Sequence, residues 1–173
     1  MASELVHMAG MGLLTSVVAP AAVLLGRDRP ALQRLAAPPW VTLPGFVVLH
    51  ALVLTAMAKR EPAPPIHVIL DTILLAGAVA FWLPVLGLPW RRLDDVGRCV
   101  YLFLAAPSLD LPAVVLVARG NSVGGLAMIV AMLPIGLAAV ALMWRVLTEE
   151  EAAVRRVEVA ERRSTSEVPY ADS

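Results

Sequence analysis

Three histidines, His7, His50 and His67, and most of the methionines recur at spacings that place their side chains on shared helix faces. His7 and Met11, His67 and Asp71, and Met128 and Met132 are each four residues apart, while His50 and Met57 are seven apart. Residues so spaced stand one above another on an α-helix. Imidazole and thioether are nitrogen and soft sulfur donors, a set that suits cuprous copper better than zinc, magnesium or calcium. A single methionine is more often apolar packing than a ligand. An imidazole within an apolar helix is costly unless it binds a ligand or bonds a neighbouring helix. Asp71 and Asp110 are carboxylates inside apolar stretches, and such acids mark proton, ion or metal pathways or polar interhelical pairs. Asp71 joins the candidate site because it shares a face with His67; Asp110 has no role assigned by spacing alone.

These residues lie on segments that a membrane would have to hold. The chain has 173 residues, 59% of them hydrophobic, and a mean hydropathy of +0.77, more apolar surface than one water-soluble core of this size can hide. The expected fold is all-α, a polytopic transmembrane bundle with five spans near 4–26, 40–58, 66–88, 98–118 and 123–146. No alternating ten-residue pattern of an outer-membrane barrel is present. Short connections carry the turn signals Pro38-Pro39, Pro64-Pro65, Pro89 and Gly120-Asn121. Pro20, Pro44, Pro84, Pro107, Pro112 and Pro134 fall inside spans, where they kink helices or release carbonyls that neighbours must satisfy.

The distribution of basic residues sets the expected orientation. With the amino terminus outside, Arg27, Arg29, Arg34, Arg91, Arg92, Arg98, Arg145 and the tail arginines are cytoplasmic, and only Lys59, Arg60 and Arg119 are outside. Trp40, Trp82, Trp90 and Trp144 then fall toward the cytoplasmic end, where an interfacial belt would place most of them. Residues 1–147 make the bundle. Residues 148–173 make a cytoplasmic tail, helical where Glu151 and Arg155, and Glu158 and Arg162, are spaced for ion pairs, and disordered over the final SEVPYADS. The start, MASELVHMAG, lacks a basic signal-peptide region and is expected to remain as part of the first span. Cys99 is the sole cysteine, which excludes an internal disulfide or a CxxC metal motif and fits a small buried filler.

Threaded this way, His7, His67 and Met128 lie within about a turn of the outer interface, and Met11, His50 and Met132 about two turns in. Four helices can thus direct imidazoles, thioethers and the Asp71 carboxylate toward one outward-facing cavity. No nucleophile motif, phosphate-binding glycine loop or HExxH points to an enzyme. A balanced net charge implies no nucleic-acid partner.

The first span, LVHMAGMGLLTSVVAPAAVLLG, resembles the "QH…APPLLLLG-P" helix of the CtaG-type cytochrome c oxidase assembly proteins, membrane copper-handling factors. The third, HVILDTILLAGAVAFWLPVLG, is similar to that family's "H-x-x-E-H…AG-x-x-FW-x-P" helix. Looser matches are the histidine of the second span and GGLAMIVAMLP, similar to "AG-x-x-M-W-x-P". The resemblance covers roughly residues 5–140. His7, His50, His67 and Met128 stand at family histidine and methionine positions; Leu70 and Asp71 replace the Glu-His of the third-span motif. The family usually has seven spans, and this chain has fewer. The resemblance implies a multi-pass protein of the bacterial plasma membrane that binds copper as Cu(I) and serves cytochrome c oxidase subunits or a respiratory supercomplex. Beside the lipid bilayer itself, a homo-oligomeric partner is compatible with this reading. The alternative is a structural accessory subunit of a respiratory oxidase without bound metal.

Overall fold

The computed structural model describes residues 2–26, 29, 32, 37–59, 64–87, 92–120 and 122–166. The helices are α1 (Ala2–Leu13), a π-helical interval Leu14–Val18, α2 (Ala19–Gly26), α3 (Pro39–Lys59), α4 (Pro64–Leu86), α5 (Asp95–Ala118) and α6 (Ser122–Ser166); no strand occurs among the described residues. α1, the π interval and α2 run on as one rod. Five helical rods are therefore long and apolar enough to cross a membrane, and they fit a multi-pass membrane protein. The observed ends lie within a few residues of the expected spans, except that the fifth runs without a break into the charged tail. Arg27, Arg34, Arg60, Arg91, Trp90 and all but the first residue of SEVPYADS lie outside the described residues.

The π interval answers to Pro20. Proline has no N–H and its ring clashes with the carbonyl four residues back, so a regular helix cannot pass through it undisturbed. Widening the preceding turn lets the Ala19 N–H bond to Leu14 instead of Thr15. The Thr15 carbonyl is released, and the Trp82 indole N–H donates to it at 2.8 Å. Trp82 is thus a core residue, not part of an interfacial belt, whereas Trp40 and Trp144 are exposed.

The rods pack in a ring. The first meets α6 and α4, α4 meets α3, α3 meets α5, and α5 closes onto α6. Small residues let the backbones approach: a Cβ on Gly12 would lie 2.5 Å from that of Ala131, and one on Gly77 would lie 2.5 Å from the Leu49 Cδ2. Ser16 donates to the Ala131 carbonyl at 2.6 Å, joining α6 to the π interval. The Tyr101 hydroxyl, 3.2 Å from Thr42 Oγ1, donates to the Phe81 carbonyl at 3.0 Å and so ties α5, α3 and α4 together. Asp95 joins α5 to α6, pairing with Arg98 and with Arg145 at 3.0 Å. Cys99 is buried and free, as its small apolar character suggests. In the tail, the Glu151–Arg155 pair forms at 3.6 Å.

Candidate metal centre

Each rod buries one stripe, and Met11, His50, Met128 and Met132 fall on those stripes. On α3 the buried stripe is Thr42, Phe46, His50, Val53, Leu54 and Met57; on α6 it includes Gly125, Met128, Met132, Ile135 and Ala139. His67 and Asp71 are half-buried and continue the line of the buried Leu74 and Ala78 along α4. Met11 is buried on α1. His7 lies one turn before Met11 on the same helix, and its side chain is outside the described residues.

Contacts fix the relative heights. Gly77 lies against Phe46 and Leu49, and Phe81 faces Thr42 across the Tyr101 hydroxyl, so α3 and α4 run antiparallel with His50 close to the height of Leu74. Asp71 then stands about one turn nearer the amino-terminal end of the bundle than His50, and His67 about two turns, roughly 10 Å. The two imidazoles of the middle helices therefore occupy different levels. On the opposite side of the ring, Gly12 packs against Ala131 and the Met128 carbonyl, which brings Met11, Met128 and Met132 to the α1–α6 seam.

Met11, His50, Leu74, Leu109 and Met128, one from each rod, are each at most 1% exposed, and reckoned from the interhelical contacts they fall at similar heights, here called the central layer. Within that layer His50 is the polar member. Its ring centroid lies 6.0 Å from that of Phe46, and neither Nδ1 nor Nε2 has a hydrogen-bond partner. Burying a polar group without a partner is costly, and a water, an ion or a ligand beside this imidazole would relieve that cost. Two further buried atoms without partners flank the layer, Oδ1 of Asp71 and Oδ1 of Asp110.

Among the described residues, no three His, Cys, Asp or Glu side chains gather closely enough to hold an ion by themselves. His50 stands on the α3 side of the ring and Met11 and Met128 at the α1–α6 seam, so an ion held by all three would have to bridge the ring interior. Such a mixed nitrogen and thioether set fits a soft monovalent ion. Sequence spacing picked out His50, Met11, Met128, Met132 and Asp71. It named Asp110 as a carboxylate inside a span and gave it no role; Asp110 is half-buried beside Leu109 of the buried stripe of α5.

No family model, no curated protein and no solved structure matches this chain.

Proposed function

We propose that the chain is a membrane copper-binding protein that holds Cu(I) near the outer membrane face and assists assembly of a haem-copper cytochrome c oxidase. The observation that carries this reading is the fully buried His50, with both nitrogens unpartnered, in a layer that also contains Met11 and Met128. His50, Met11 and Met128 are the central donors in this reading; His7, His67, Met132 and Asp71 stand toward the amino-terminal end or one turn along the same faces. Neutral thioethers bind a soft ion without trapping it, which suits release to a recipient by ligand exchange. The expected orientation, amino terminus outside and carboxyl terminus in the bacterial cytoplasm, would open this end of the bundle to the compartment where oxidase copper centres are filled.

The test is metal content. Protein purified under reducing conditions is expected to carry copper, and His50→Ala and His7→Ala are expected to lower it. Copper at background in the unmutated protein, or undiminished in both variants, rejects the reading.

The long exposed arm of α6 favours a second reading, a metal-free accessory subunit of a respiratory oxidase or supercomplex docked through its tail. Deleting the gene separates the two. Oxidase activity restored by added copper supports delivery, and a deficit that copper does not relieve supports scaffolding.

A further inference from the structure

Asp110 is a half-buried carboxylate within the α5 span that the proposed site does not use. It lies between Pro107 and Pro112 on α5, and its Oδ1 is buried with no hydrogen-bond partner. The position of α5 matters here, because this helix packs on both α3, which carries His50, and α6, which carries Met128. Two independent contacts set the height of Asp110. At one end, Gly125 of α6 lies against the Ala113 carbonyl and Val117. α5 and α6 run antiparallel, with Asp95 bonded to Arg145 at the other end. One turn inward from the Gly125 contact on both helices therefore brings Met128 level with the turn from Asp110 to Ala113. From the Tyr101–Thr42 contact, two turns toward the amino-terminal end on the parallel helices α3 and α5 bring Leu109 and Asp110 to the height of His50.

Charge gives this placement a use. An imidazole and two thioethers are neutral, so an ion held by them alone is a net cation in a medium that solvates charge poorly. A carboxylate beside it offsets part of that cost by direct attraction. We propose that Asp110 is the counter-ion of the central layer, supplying from α5 the negative charge that holds a soft monovalent cation beside His50 and Met128. This inference rests on the copper reading above and adds a residue to it.

The experiment measures Cu(I) affinity of the full-length protein in detergent by competition with a chromophoric cuprous chelator. Asp110→Asn is expected to bind at least tenfold more weakly, while Asp110→Glu, which restores the charge, stays within about threefold of the unmutated protein. Thermal unfolding of metal-free Asp110→Asn is expected to match that of the unmutated chain, which separates lost charge from lost fold. If Asp110→Asn does not fold, infrared difference spectra decide: adding Cu(I) to Asp71→Asn protein is expected to shift an aspartate carboxyl band. Equal affinity of the unmutated and Asp110→Asn proteins, or no shifted aspartate band, overturns the inference and leaves the copper reading intact. No Cu(I) binding by the unmutated protein overturns both.

Discussion

Trp82 holds Thr15 by a carbonyl that the π-helical interval releases, at 2.8 Å. The bond joins α4 to the first rod just below Met11, whose own carbonyl accepts from the Thr15 hydroxyl at 3.2 Å. A defect forced by Pro20 is thereby converted into an interhelical link, and the link braces the floor of the central layer.

Trp82→Phe keeps the aromatic packing and removes the donor. It is expected to lower the unfolding free energy in detergent by about 1 kcal/mol, the usual net worth of one buried hydrogen bond, with a further loss if the Thr15 carbonyl stays dry. Denaturant titration followed by circular dichroism measures it; an unchanged midpoint would show that the released carbonyl finds another donor.

His50→Leu replaces an unpartnered imidazole with an apolar side chain of similar bulk. The metal-free protein is expected to gain about 1–3 kcal/mol, because a desolvated polar group is removed with no bond lost. Copper binding is expected to disappear in the same variant. Stability and binding moving in opposite directions would identify His50 as a site residue; a loss of both would mark it as structural.

Gly12→Val places two methyl groups where a Cβ alone would already come within 2.5 Å of that of Ala131. The first rod is expected to move off α6 at a cost of about 1–3 kcal/mol. Since Met11 and Met128 flank this seam, Cu(I) affinity is expected to fall together with the unfolding midpoint. Affinity that survives the destabilisation would remove the α1–α6 seam from the site.

Asp95→Asn strips the buried Arg98 of its carboxylate partner and frees Arg145 from α5. The expected loss is about 1–3 kcal/mol, less than for a fully buried pair because Asp95 is one-third exposed. The clamp lies at the end of the bundle away from the central layer, so copper affinity is expected to hold within about threefold. Isothermal chemical unfolding and chelator competition on one preparation check both halves.

The five rods were legible because hydropathy and short proline-marked connections report length and burial directly. Four-residue spacing also placed His67 and Asp71 on the inward line of α4, and it placed Met128 and Met132 on the buried stripe of α6. What spacing along one helix cannot encode is which helix stands opposite. Asp110 stood out as a carboxylate inside a span, but its neighbours were not legible until the contacts of Gly125 with Ala113 and of Tyr101 with Thr42 set α5 between α3 and α6. Trp82 looked like a belt residue because its depth was right; only the carbonyl released by the π turn makes the core its place. The helix of the fifth span continues past Thr148 into the charged segment, with Glu149 paired to Arg145 at 3.1 Å across the join.

α6 is 45 residues long, which at 1.5 Å per residue is about 68 Å, more than twice the hydrocarbon thickness it would cross. From Leu147 to Val159 it is exposed at every position but Ala152. The bundle thus carries a stiff mast, and any protein grasping the mast's tip is kept some 30 Å clear of the lipid headgroups, out of reach of the ring below.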